Sequence, residues 1–577
     1  MEVEPIPAFL AAQREIDEQI RGLRSRRNAL APVSSLPDEI LCHIFQAYIA
    51  GARTDSRWHS MTTRITGICR RWRSAALEYP ELWSTIHSWM GPTSLESTIA
   101  RSKDAPVSVT VSTEGWTTLD PRRHQLIAGV LAQTYRLVNL RLGVNLQLLD
   151  GLLRLLDSPA PQLEKLTVEP KGLGEAEAVD LPLSLFGGEA PRLRDLSLVE
   201  CYPPWTSPIL QGLTSLNITF PCIDSPVPPH DKLLATLKNL PRLVNLTLWM
   251  NFPDLDQPSS ADQVAKLPSL KRLEIASNTG GFAGLLQTIR IPLEASVKLL
   301  GYETAEEDFA ALRAGLWSAW LSSPLSGSQL TPVGSRASPI RSLWIKEGGA
   351  GLSVYAEIQG WSEAVDMSRG SKPPEQGPAL SIYTELPDDV MFRSTSISQA
   401  IDRHAASALP LEDVRSLRVQ SQLDDWAPVL RRLSSVQQLY VGRLGASRAI
   451  GALALAAFNS NRADETSPGN TDPLHLPKLE TLCLHLDFLT SVTSPIEDPI
   501  ANLIYFAEYR NRKGARIKHL SFSTSTECSN EDLERLGGVV DKVNIVPPWE
   551  GLRYGFVLTD DFDDFAEDGP VMPGGLG

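Results

Sequence analysis

The sequence contains no apolar run approaching the about 18 residues that a membrane-spanning helix needs. It opens with Met1-Glu2-Val3-Glu4-Pro5, which is acidic and lacks the apolar core of an export signal, so neither a membrane nor secretion is expected. Cysteine is scarce, with six in 577 residues (Cys42, Cys69, Cys201, Cys222, Cys483 and Cys528) and no close pair among them. Scattered thiols of this kind give no disulfide framework and fit a cytoplasmic and/or nuclear chain. Positive charge is also in deficit: 54 Lys and Arg against 68 Asp and Glu leave a net charge of -14. A nucleic-acid partner would demand clustered bases, so none is expected. The one basic cluster, Arg21, Arg24, Arg26 and Arg27, lies among helix-forming residues and reads as a solvated helix face.

Catalytic patterns are absent as well. There is no phosphate-cradling P-loop, no G-x-S-x-G elbow and no H-E-x-x-H. Gly348-Gly349-Ala350-Gly351 has the glycines of a phosphate cradle without its lysine, so it reads as a turn. Cys483-Leu484-His485, even with His475 and His519, lacks the further ligands that a metal would require, and the same holds for Cys42-His43. No enzyme activity, cofactor or metal is expected.

What is present is apolar patterning. Phe9, Gln13, Ile16, Ile20, Leu23, Arg27 and Leu30 recur at spacings of four and three, which predicts a helix over residues 8–30 that ends at Ala31-Pro32. With fewer than four heptads and polar residues in the seam, it reads as a lone helix packed on the next domain rather than a dimerisation segment. Leu36-Pro37-Asp38-Glu39 then opens a second helix, with proline at its first turn and acids near the positive end of its dipole. Ile40, Leu41, Ile44 and Phe45 form its apolar stripe. A further helix is predicted from Ile65 to Leu77, and Tyr79-Pro80-Glu81-Leu82-Trp83 closes the segment. Between Phe45 and Ile68 stand 22 residues, read as a long loop between the two helices. Three short helices cannot bury all these apolar groups against one another, so a partner is expected.

The ordered blocks LPDEIL-x-x-IF, ICRRWR-x-x-A and YPELW resemble the F-box, the three-helix module that docks on the adaptor subunit of SCF-type (cullin-RING) ubiquitin ligases. The Pro-x-Leu-Trp ending after a short N-terminal helix is similar to the large F-box family of mushroom-forming fungi. The segment Arg101-Ser102, followed by Pro106-Val107-Ser108, agrees with that family. The resemblance implies docking on the ligase adaptor, and through it on a cullin, by Leu36, Pro37, Ile40, Leu41, Ile44, Ile68, Trp72, Leu82 and Trp83.

Most of the remaining chain repeats one phrase, an apolar residue, two variable residues, Leu, one variable residue and another apolar residue. It begins at Leu137, Leu163, Leu193, Leu213, Leu243 and Leu270, at intervals of 26, 30, 20, 30 and 27 residues. Degenerate copies begin at Ile340, Val414, Val436, Leu479 and Ile517. The period fits leucine-rich repeats, in which each unit covers its strand only by stacking on the next. After Ile275 the regularity fails. Residues 299–321 are predicted as an amphipathic helix carrying Leu312, Leu316, Trp317 and Trp320, and residues 346–384 as an inserted hairpin.

The expected fold class is therefore α/β: a small all-α, three-helix F-box followed by an irregular leucine-rich-repeat-like solenoid of short parallel strands and outer helices. The expected domains are an N-terminal helix (1–33), the F-box (34–90), the repeat region (91–550, with insertions around 276–339 and 346–413) and an acidic disordered tail (551–577). The expected role is a substrate-recognition subunit, monomeric outside its complex, that brings an unidentified client protein to the ligase. The alternative is a scaffold in which the helices only cap the solenoid.

Overall fold

Leucine alternating with polar residues makes a half-buried strand, and the Leu-x-apolar pair of each of the eleven repeat phrases lies on a strand. The structure, a computed structural model, describes residues 7–50, 58–113, 119–172, 178–220, 230–252, 264–302, 312, 314–321, 340–350, 353–365, 377–386, 412–420, 426–442, 446–466, 475–486, 498–524 and 528–546. The acidic tail expected at 551–577 lies outside them. The protein is mixed α/β with mostly parallel strands. It divides into two compact units, residues 1–174 with 179–212, and residues 175–178 with 213–577.

The first unit opens with helices α1 (Pro7–Ala29), α2 (Asp38–Ala50), α3 (Trp58–Ile68) and α4 (Arg70–Glu78), followed by a 3-10 turn, Pro80–Trp83. The strands β1 (Thr85–His87), β2 (Val107–Ser112), β3 (Leu137–Gly143) and β4 (Lys165–Val168) follow and pair in parallel, in chain order. Past the short β5 (Val179–Asp180), β6 (Asp195–Val199) extends that ladder, while β7 (Cys201–Tyr202) pairs with β5. Helices α5 (Pro92–Ser102), α6 (Pro121–Leu131) and α7 (Leu146–Leu153) carry the chain between strands. The register aligns the repeat. Ile86, Val109, Leu140, Leu166 and Leu196 form one buried row across the five strands. A buried Arg136 ties the connection to β2 by donating to the carbonyls of Ala105 and Ser102.

The second unit repeats the scheme. β8 (Ser215–Thr219), β9 (Asn245–Trp249), β11 (Arg272–Asn278) and β13 (Ser296–Tyr302) are parallel neighbours, and β10 (Ala265–Lys266) pairs separately with β12 (Ile289–Arg290). The ladder does not continue in chain order from there. β13 pairs in parallel with β16 (Leu380–Leu386), which runs antiparallel to β15 (Ser353–Trp361). β15 forms an antiparallel hairpin with β14 (Ser342–Ala350), and β14 pairs in parallel with β17 (Ser416–Gln420). Parallel pairing resumes through β18 (Gln438–Val441), β19 (Thr481–Leu486), β20 (Ile517–Thr524) and β21 (Val540–Val546). Leu343, Leu417, Leu439, Leu482 and Leu520 share one register row, and all are fully buried.

Two expectations are corrected here. Residues 296–302 are strand, not the start of a helix, because Val297 and Leu299 alternate into the core beside Leu273 and Ile275. Farther along, Leu312, Leu316 and Trp320 are buried and the Trp320 ring N–H donates to the Leu293 carbonyl at 3.0 Å, whereas Trp317 stays exposed. The second correction concerns the inserted hairpin, whose antiparallel strands β15 and β16 form as expected but do not stand apart as an insertion. Its strands are threaded into the ladder itself, between β13 and β17.

Candidate protein-docking surface

Helices α2, α3 and α4 and the Pro80–Trp83 turn share one core, made of Leu41, Cys42, Phe45, Ile49, Ile65, Ala75, Ala76, Leu82 and Trp83. Leu36, Trp72, Leu77 and Tyr79 pack at its margin. The Phe45 and Trp72 rings meet with centroids 4.9 Å apart and planes tilted by 53°. The Trp83 ring N–H donates to the Ala76 carbonyl at 2.8 Å, so its one polar atom is satisfied inside the core. On its other side the Arg101 guanidinium of α5 lies 4.5 Å from the Trp83 ring centroid. Burial, reinforced by the charges of Asp38, Glu39 and Glu81, pushes the Cys42 thiol up from its ordinary value. It remains a neutral donor, its sulfur 3.7 Å from the Ala75 carbonyl oxygen.

One side chain holds the segment's entry in place. Arg71 of α4 donates to both the Ser34 and Leu36 carbonyls and, at 2.7 Å, to the Asp38 carboxylate in the first turn of α2. A planar guanidinium has the several divergent donors that this clamp requires. The residues expected as one long helix from Ile65 to Leu77 are two, because Cys69 is extended (φ -156°, ψ 168°) and its sulfur accepts from the Trp72 N–H, capping α4. The loop expected between Phe45 and Ile68 is mostly helix. α2 runs on to Ala50 and α3 starts at Trp58, leaving only 51–57 outside the described residues.

The nine residues singled out in the sequence separate into three groups. Leu41, Leu82 and Trp83 are interior. Leu36 and Trp72 are half-buried against the same core. Pro37, Ile40, Ile44 and Ile68 face outward, with the three isoleucines 44%, 45% and 57% exposed. The α2 stripe continues one turn further in Tyr48, which is 47% exposed and was missed in the sequence, although it stands four residues beyond Ile44. Arg71 was missed too, and nothing in the sequence marks which of the adjacent arginines turns inward.

The outward faces of the ladders differ between units. In the first, Asn139 donates to Ser108 at 2.9 Å, Lys165 pairs with Asp195 at 2.8 Å and Arg141 with Glu169 at 2.9 Å, so the strand surface is polar and internally paired. In the second, Trp344, Arg418, Tyr440, Cys483 and Ser521 occupy one register row. There the Arg418 guanidinium stacks 4.6 Å from the Trp344 ring centroid, and the Trp344 N–H donates to Gln420 at 2.9 Å. Cys483 packs with Trp361 and Tyr440, while His485 meets the Ser523 hydroxyl at 3.2 Å. Among the described residues, no three His, Cys, Asp or Glu side chains are close enough to hold a metal ion, and no helix is long and apolar enough to cross a membrane.

Compared with protein-family models and with the curated proteins, the sequence matches none.

Proposed function

We propose that residues 34–90 act as an F-box, docking on the adaptor subunit of an SCF-type ubiquitin ligase, and that the strand ladders form a leucine-rich-repeat-like solenoid presenting a surface to a client protein. The observation that carries this reading is the exposed stripe Ile40, Ile44 and Tyr48 on a helix whose neighbouring row, Leu41, Phe45 and Ile49, already fills the core. A small domain that has closed its own core and still displays three large apolar side chains in a row has a surface suited to a partner. The motif order LPDEIL, ICRRWR, YPELW supports the same reading, as does the Arg71 clamp, which fixes the direction in which α2 leaves the chain. Chemistry would reside in other subunits, with this chain supplying proximity.

The test is binding of the purified full chain to a purified ligase adaptor subunit. Ile40→Asp with Ile44→Asp is expected to abolish capture while circular dichroism and the unfolding midpoint hold. Undiminished capture overturns the reading. Trp72→Ala is unsuitable for this purpose, because its ring packs on Phe45 and its loss would destabilise the segment's core as well as alter its surface.

A second reading is favoured by one contact, the Arg101 guanidinium of α5 over Trp83. It joins the helical segment to the helix preceding β2, as an end cap on the first ladder would be joined. Under that reading α2–α4 serve only the stability of the first unit, and the double aspartate variant binds no adaptor because the parent chain binds none either.

A further inference from the structure

Among the described residues of the first unit, α1 is the one helix whose apolar stripe goes uncovered from Leu10 on. Every residue from Leu10 to Leu30 is exposed, including Ile16 at 56%, Ile20 at 41% and Leu23 at 64%. The expectation that α1 packs on the following domain is thus overturned. An exposed ion pair, Glu18 to Arg70 at 3.8 Å, links it to the helices that follow. A helix of 23 residues with Gly22 in its second half is marginal without packing, so something else must hold it.

Spacing and charge identify what covers the stripe. Gln13, Ile16, Ile20, Leu23, Arg27 and Leu30 alternate by three and four, as in a two-helix seam. The charges along the helix are segregated. Glu15, Asp17 and Glu18 lie in the first half beside a single base, Arg14, and Arg21, Arg24, Arg26 and Arg27 lie in the second, where there is no acid. Such a helix complements its own reversed copy. Two copies side by side in the same direction would bring Arg27 against Arg27 in the seam and set the two basic halves together. Run in opposite directions, Ile20 of one meets Leu23 of the other, and Gln13 meets Leu30. The Arg27 stem then lies along Ile16 with its charge reaching the acidic half. The flanking positions place Asp17 beside Arg24 of the second copy, and the twofold axis makes this pair twice. We propose that α1 is a homodimerisation element that pairs antiparallel with α1 of a second copy of this chain. This surface is separate from the Ile40 and Ile44 stripe and does not depend on the ligase reading.

Sedimentation equilibrium of the full chain provides the test, with the concentration raised to about 100 µM. A monomer–dimer equilibrium is expected, abolished by Leu23→Asp and untouched by Ile40→Asp with Ile44→Asp. Asp17→Arg alone and Arg24→Asp alone should each weaken dimerisation by about tenfold, since each removes two symmetry-related ion pairs and sets like charges together. The double variant should return to within about threefold of the parent, because the pair is then reversed rather than lost. A chain that stays monomeric throughout the range overturns the proposal. So does a dimer indifferent to Leu23→Asp, which would use another surface. A double variant no tighter than the single ones overturns the antiparallel arrangement and the proposal with it.

Discussion

The helical segment Asp38–Trp83 and the strand ladders bury their leucines under the same demand and dispose of the other face differently. In the first ladder the inward rows are fully buried, and the outward rows are polar residues, several of them paired, such as Lys165 with Asp195 and Asn139 with Ser108. In α2 the inward side is just as completely buried, yet the outward side carries isoleucine and tyrosine. Polar residues would have been less costly there if water were the only neighbour. The ladder of the first unit is finished as a surface, whereas α2 is not. In the second unit the outward row is intermediate, with Trp344 stacked by Arg418 yet still part-exposed.

Removing a core group from each region is expected to have the largest effect. Trp83→Ala takes away a ring that is 6% exposed, together with its hydrogen bond to Ala76 and its contact with Arg101. The expected loss is about 3–5 kcal/mol, read from urea unfolding followed by tryptophan fluorescence and by proteolysis after Arg70 and Arg73. Leu166→Ala, at the centre of the Ile86 to Leu196 row, is expected to cost about 2–5 kcal/mol by the same measurement. If the helical segment were a loosely attached appendage, Trp83→Ala would leave the ladder's unfolding midpoint unmoved. A shared midpoint shift supports the Arg101 contact as a structural joint.

How much of this was legible in the sequence follows from the range of the interactions involved. The repeat phrase located eleven strands because alternation is a local signal, and register then followed from packing like residues in rows. The strand order β13, β16, β15, β14, β17 was not legible, since Val297 meets Leu380 and Leu343 meets Leu417 across many intervening residues. β13 was mistaken for helix because the true helical spacing of Leu312, Leu316 and Trp320 was carried too far upstream. In the candidate site, the blocks were legible but not their orientation. Ile40 and Leu41 are adjacent, as are Ile44 and Phe45, and a helical stripe that wide leaves open which edge turns inward. Trp72 and Phe45 decide it, by a ring contact between helices that no local pattern encodes. The break at Cys69 was hidden for a similar reason, as its cap is a thiol accepting the Trp72 N–H, where serine, threonine, aspartate or asparagine is the usual signal.

A smaller effect tests the clamp at the entry of α2. Arg71→Met keeps much of the stem and removes the donors to the Ser34 and Leu36 carbonyls and to Asp38. Those groups lie near water, so the expected cost is about 1–2 kcal/mol, with hydrogen exchange rising at the first turn of α2 and not in α4. Exchange that rises equally along both helices would mean that Arg71 supports the whole segment rather than the entry of α2.

The smallest expected change in stability belongs to the residues that define the contrast. Ile40→Gln, Ile44→Gln and Ile68→Gln together remove three exposed isoleucines whose neighbours Leu41 and Phe45 are left in place. Surface substitutions of this kind usually move stability by no more than about 0.5 kcal/mol each, so the urea midpoint should barely shift. Binding of an apolar fluorescent dye should nevertheless fall, because an uncovered apolar stripe is what such a dye reports. The matching change on the first ladder, Thr167→Gln with Ser197→Gln, replaces residues that are already polar and should leave dye binding where it was. If the isoleucine variant instead lost several kcal/mol, the α2 stripe would be part of a folded contact within this chain. The difference between the two surfaces would then be one of packing and not of an unmet partner.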